Sequence, residues 1–244
     1  MLKIKITNSC LFYVALLIGF FLSASIEASS YIEQGVSSAD KQRIFERLTE
    51  LSKDTDSITA TINQEKQLSL LKEKICIDGT VIMKKPNMFR WDIVKPDKSI
   101  IAVDGETMTV YHPEIKEAQV YNLIGNLIAR NTMRFLTITM WGSLNEIEKN
   151  FTFYILRKED EIIFKLAPVS KMISRYLSSI IIHYEENTGF PRGFEITTPK
   201  GDKTVTRLSN IKINPEIKTG TFKIELPEDV RITNNFEQSH CITE

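Results

Sequence analysis

Turn chemistry recurs along this chain at intervals that leave room only for short strands. Pro86-Asn87, Pro96-Asp97, Asp104-Gly105 and Pro113-Glu114 divide residues 75–123 into five runs. Each pair has a reason to bend the backbone. Proline fixes φ and lacks an amide donor, and Asp-Gly supplies the positive-φ geometry of a tight hairpin. The runs 75–83, 89–94, 99–103, 107–111 and 117–123 are rich in β-branched and aromatic residues. Connections this short cannot hold a crossover helix, so successive strands must pair antiparallel. The result is a meander.

Ile58-Thr59-Ala60-Thr61-Ile62 adds an alternating strand upstream. Downstream, the runs 151–157, 162–166, 178–184, 193–198, 204–213 and 221–225 resume the pattern, punctuated by Asn187-Thr188-Gly189 and Lys200-Gly201-Asp202. Helical signals are fewer. Residues 40–51 place Ile44, Phe45, Leu48 and Leu51 on one face, with Ser37 or Ser38 as cap. Ile124, Leu127 and Ile128 suggest a helix over 124–134, and 135–141 is ambiguous. Ser143 and Glu146 have capping-box spacing before a short helix at 144–150. About eleven strands and two or three helices predict an α+β domain that is mostly antiparallel β. A large twisted sheet with few helices predicts a curved sheet whose concave side is partly plugged; if the strands curl into an open barrel, helices over its mouth act as a lid.

Lys3, Lys5, the apolar run 11–22 and the small residues Ala24, Ser25 and Ala28 have the order of a secretory signal. A 12-residue apolar run is short of the roughly 20 residues that span a bilayer. The expected organisation is a cleaved leader, 1–28, and one domain, 29–244, exported and released. Removing Lys3, Lys5 and Glu27 leaves 29 basic and 30 acidic residues, a balance that argues against nucleic acid as a partner. Cys76 and Cys241 remain after processing and are available to pair in an oxidising compartment.

Chemistry-bearing motifs are scarce. Gly201-Asp202-Lys203-Thr204 lacks the glycine loop and adjacent Gly-Lys of a phosphate cradle. His112, His183 and His240 have no metal-ligand spacing, and no serine sits in a nucleophile elbow. The expectation is a protein without cofactor, metal or catalytic site. What stands out instead is the run Met88-Phe89-Arg90-Trp91-Asp92-Ile93. Alternation puts Phe89, Trp91 and Ile93 on one face and Arg90 on the other, toward solvent or a partner. Such a wall is either packed core or the lining of a ligand cavity.

The stretch Lys84-Lys85-Pro86-Asn87-Met88-Phe89-Arg90-Trp91, followed by Pro96-Asp97-Lys98-Ser99, Asp104-Gly105-Glu106-Thr107 and Tyr111-His112-Pro113, resembles the periplasmic outer-membrane lipoprotein carriers (LolA-like proteins). Ile62-Asn63-Gln64, Gly201-Asp202-Lys203-Thr204-Val205-Thr206-Arg207-Leu208 and Phe222-Lys223-Ile224-Glu225-Leu226-Pro227 are similar to that family's flanking strands. The resemblance runs from about residue 40 to 232. It implies an unclosed half-barrel with a helical lid over an apolar cavity, in a monomer. It further implies acylated lipoproteins as cargo, received from an ATP-driven, ABC-type inner-membrane release complex and passed to an outer-membrane acceptor. The family's cavity aromatics fall on Phe89 and Trp91. Ile93, Ile101, Val103, Met108 and Val110 extend the lining, unless Tyr111 faces inward in place of Met108 and Val110. Lys85 stands where many members carry an arginine linked to lid closure. Two alternatives share these residues: a carrier of another lipid or glycolipid, and a lipid-sensing envelope protein that transports nothing.

Overall fold

A computed structural model describes residues 38–71, 73–123, 133–134, 136–137, 139–141, 144–158 and 160–233. The leader and Cys241 lie outside these residues; Cys76 is exposed. Helix α1, Ser38–Ser52, precedes strands β1 (Ser57–Gln67), β2 (Ile75–Lys84), β3 (Met88–Lys95), β4 (Ser99–Val103), β5 (Thr107–His112) and β6 (Glu117–Asn122). After residues 133–141, helical wherever they are described, come a 3₁₀ helix, Leu144–Lys149, and strands β7 (Phe151–Lys158) and β8 (Glu161–Pro168). A single turn of helix, Lys171–Ser174, then leads to β9 (Ser179–Glu185), β10 (Pro191–Thr197), β11 (Lys203–Ile213) and β12 (Arg231–Thr233).

All twelve strands form one sheet in the order β12-β6-β5-β4-β3-β2-β1-β11-β10-β9-β8-β7. The order ends in β12 and β7 rather than joining them, so the sheet is unclosed, as expected. Every pairing is antiparallel except β12 with β6. Two expectations change here. Residues 221–225 are not a strand: Thr221 turns back on Lys218, and the Arg90 guanidinium captures the Thr221 carbonyl. The last strand is instead Arg231–Thr233, held beside β6 by backbone pairing from Arg231 to Thr233 and by an Arg231–Glu117 ion pair.

Burial divides the interior into two apolar clusters. One lies on the inner face of β1–β6 and includes Met133, Met140 and Trp141. The other packs Ile44, Phe45 and Leu48 of α1 against Ile162, Phe164, Ile180 and Ile182 of β8 and β9. Phe194 touches both. Leu51, expected on the buried face of α1, is 37% exposed. It rests beside Gly189, where φ is +73° and an added Cβ would come within 2.8 Å of the Leu51 Cβ. A glycine is needed there on both counts.

Candidate functional site

Register explains why one face of the sheet becomes an unbroken apolar wall. Tyr121, Met108, Val103, Phe89, Met83 and Ile58 are successive partners across β6, β5, β4, β3, β2 and β1. Two residues along, Val110, Ile101, Trp91, Val81 and Ala60 form a second row. Residues opposite one another on one face stand about 5 Å apart, close enough for side chains of this size to touch. All eleven are buried in the first cluster. Trp91 lies at its centre, 1% exposed. Its indole nitrogen is without a hydrogen-bond partner among the described residues. An added Cβ on Gly79 would fall 2.8 Å from that nitrogen and 2.3 Å from the Asp92 carbonyl oxygen. The glycine is therefore what lets the indole nitrogen and the Asp92 carbonyl come this close to β2.

The sequence-derived residues divide cleanly. Phe89, Trp91, Ile93, Ile101, Val103, Met108 and Val110 converge on this wall. Tyr111 does not: β5 alternates, and with Met108 and Val110 buried inward Tyr111 lies half-buried on the opposite face. Arg90 also faces away, its side chain 21% exposed. It forms two 2.8 Å bonds to the Asp92 carboxylate and one of 2.9 Å to the Thr221 carbonyl, clasping a crossing segment of its own chain. Sequence reasoning did not include Ile58, Ala60, Val81, Met83 and Tyr121 in the wall. The alternation of β1 and β2 was the available signal, and extending it across the register would have found them.

The described residues among 133–141 cover the wall. Met133, Met140 and Trp141 are buried against it. Two hydroxyls pin the end of this segment: Ser52 donates to the Trp141 carbonyl at 3.1 Å and Tyr184 to the Thr139 carbonyl at 2.8 Å. Burial pushes the Tyr184 phenol well above its ordinary value, so it remains a donor. The Lys85 amine sits 5.3 Å from the centre of the Trp141 ring, a cation over an aromatic face, and 3.4 Å from the Lys53 carbonyl. Lys85 thus touches the cover through its charge, as a lid contact would.

Toward the other end of the strands the wall turns polar. Ser99 and His112 share a 3.0 Å buried hydrogen bond, and burial holds the imidazole below its ordinary pKa, opposed by Glu117 and Asp97. On β1 the inward positions after Ile62 are Gln64 and Lys66, 4% and 6% exposed. Gln64 donates to Thr206 Oγ1 at 2.8 Å, while its carbonyl has no partner among the described residues. Burial pushes the Lys66 amine down to about 7, against the pull of the Asp202 carboxylate. Beside the wall, a pocket of about 280 Å³ is lined in part by Phe190, Leu208, Ile211 and Ile213.

The site is the apolar inner face of an open, mostly antiparallel sheet beneath a helical cover. Comparisons with known proteins identify the family. The family described as outer membrane lipoprotein carrier protein LolA matches residues 53–225, and the chain belongs to that family. An outer-membrane lipoprotein carrier protein of Pseudomonas entomophila is 21% identical over 196 residues, spanning 79% of this chain and 89% of its own. One from Haemophilus ducreyi is 26% identical over 194 residues, spanning 80% and 83%. A crystal structure of an uncharacterized conserved protein from Thermus thermophilus shares the fold with a TM-score of 0.51. It is 12% identical, covering 80% of this chain and 99% of that one. No described helix is long and apolar enough to cross a membrane.

Proposed function

We propose that this protein is a soluble periplasmic carrier that holds the acyl chains of lipoproteins against the wall centred on Phe89 and Trp91. It takes them from an ATP-driven inner-membrane release complex and hands them to an outer-membrane acceptor. The observation that carries this reading is the pair of apolar rows, one across six strands and one across five, beneath a cover tied down at Thr139 and Trp141 and touched by Lys85. Membership of the lipoprotein carrier family supports it. Burial of acyl carbons is worth about 0.8 kcal/mol per CH₂, so a multiply acylated cargo does not leave a bilayer unaided. Extraction needs an energy source outside this chain and an apolar surface to receive the acyl chains. The cover must lift for them to enter, which breaks the bonds to the Thr139 and Trp141 carbonyls and the Lys85 contact and exposes Met133, Met140 and Trp141. Onward transfer proceeds without further input if the acceptor binds the acyl chains more tightly.

The test is binding of a hydrophobic fluorescent probe, displaced by acylated peptide, in the protein and in Phe89→Glu. A carboxylate placed at a position 4% exposed should weaken the probe at least about tenfold, given the cost of burying an unpaired charge. Unchanged affinity in a folded variant would overturn the assignment of the wall. Mass spectrometry of copurified ligand distinguishes lipoprotein acyl chains from another lipid, and lipoprotein release from spheroplasts tests the transport step.

A further inference from the structure

Three buried side-chain atoms among the described residues have no hydrogen-bond partner: the Trp91 indole nitrogen, the Gln64 carbonyl oxygen and one oxygen of the Asp202 carboxylate. Register gathers them in one place. The Trp91 nitrogen lies beside Gly79, which stands opposite Ile62 of β1. The next two inward positions of β1 are Gln64 and Lys66, with Thr206 and Thr204 as their partners on β11. Asp202 precedes β11 by one residue, and its carboxylate attracts the Lys66 amine. Lys66 is itself buried and forms no hydrogen bond among the described residues. At about 3.3 Å per residue, the strip from Ile62 to Lys66 is about 13 Å long. Two donors and two acceptors thus line the end of the apolar wall.

Buried polar atoms are nearly always paired, and each orphan needs a reason. Elsewhere in this interior the pairing is made: Ser52 has the Trp141 carbonyl, Ser99 has His112 and Tyr184 has the Thr139 carbonyl. Even the amide nitrogen of Gln64 is used, on Thr206. The exceptions collect at one end of the surface assigned to acyl chains. An occupant that satisfies them must bring acceptors for Trp91 and Lys66 and a donor for Gln64. A phosphate or carboxylate brings acceptors only, and it would meet the Gln64 oxygen and the Asp202 carboxylate, both of which repel it. Hydrocarbon brings neither and leaves every orphan unpaired. The junction at which acyl chains join a lipidated cysteine brings both, as ester carbonyls and an amide N–H.

We propose that this strip binds the ester and amide junction of an acylated cargo. Ester carbonyls accept from the Trp91 indole and the Lys66 amine, the amide N–H donates to the Gln64 carbonyl, and Asp202 remains the counter-charge of the amine. The assignment rests on the carrier reading of the wall and adds selectivity to it. The wall takes any apolar chain, whereas the strip selects chains joined through esters and an amide.

Competition against a hydrophobic fluorescent probe by two synthetic lipopeptides tests this. One carries N-palmitoyl, S-dipalmitoylglyceryl cysteine; the other keeps the same chains on ether links and has its amide N-methylated. The parent should prefer the first at least about tenfold, the worth of two or three hydrogen bonds. Gln64→Leu/Lys66→Met should bring the two ligands within about twofold, by weakening the first and not the second. A lipopeptide altered only by N-methylation should lose affinity for the parent and not for Gln64→Leu. Retained binding of the ether lipopeptide shows that each variant is folded. A parent that binds both ligands alike overturns the proposal and leaves the strip to ordered water. So does a double variant that keeps the full preference, or an N-methylated ligand that binds the parent undiminished. Each of these leaves the wall standing. Binding of neither lipopeptide by the parent overturns the wall, and the strip with it.

Discussion

Lys66 ends a row of inward residues on β1 that begins with Ile58, Ala60 and Ile62, and its charge is the feature of the interior most open to measurement. Burial lowers its pKa from 10.5 to about 7. At about 1.36 kcal/mol per pH unit, that displacement amounts to about 5 kcal/mol. Below about 7 the amine is charged in both folded and unfolded chains, and the full cost of burying it is present. Between about 7 and 10.5 the folded amine is neutral while the unfolded one still holds its proton. The unfolded state then binds more protons, so stability rises with pH across that window. Lys66→Met keeps the length of the side chain and removes the titration. Other groups that titrate in the same range are common to both proteins and cancel in the difference. Urea unfolding of both proteins at a series of pH values should show the parent gaining on Lys66→Met by about 5 kcal/mol from the bottom to the top of the window. A difference that stays flat with pH, or that falls as pH rises, would refute the claim that a buried amine faces the interior.

Gly79→Ala should place a methyl group against the Asp92 carbonyl and the Trp91 indole. It should cost about 1–3 kcal/mol as an overpacked core does, with a shift of tryptophan emission that an intact wall would not show. Lys85→Met removes the cation over Trp141, a contact worth about 0.5–1 kcal/mol. Hydrogen exchange over 133–141 should quicken a few-fold while β1–β6 stay protected, and Lys85→Arg should restore it. His183 lies 3.3 Å from both Glu161 and Glu195. The bond from His183, then that from Lys203, holds the Glu195 carboxyl down to about 2. Its contribution is present above the ordinary 4.5 and lost as pH falls toward 2. The same Glu195 bond raises the His183 pKa above 6.5, so the imidazolium contributes fully below 6.5 and is lost as pH rises past its folded value. The deficit of Glu195→Gln in thermal unfolding should therefore be largest between 4.5 and 6.5 and shrink on either side. A deficit constant with pH would dismiss the pair.

Which parts of this molecule could be read beforehand follows from the range of the interactions that decide them. The meander from β2 to β6 rests on turns of three or four residues and on alternation, both local. Phe89 and Trp91 could be assigned to one face for the same reason, and so could Lys66, which the period of two sets on the face of Ile58. What local pattern cannot weigh is competition from far along the chain. Residues 221–225 alternate like a strand, yet the carbonyl of Thr221 is taken by a guanidinium 131 positions away. The orientation of β5 was undecided until pairing with β4 set Val103 opposite Met108 and left Tyr111 outside. Trp141 ended an ambiguous run, and its place over the wall depends on hydroxyls from α1 and β9 and a lysine from the β2–β3 turn. The wall is thus written in periodicity, while its cover is written in tertiary contacts. That division fits the work proposed for them. A surface that must stay apolar whatever it holds can be built from a local rule. A cover that opens and closes must hang on a few separable bonds, which no local rule specifies.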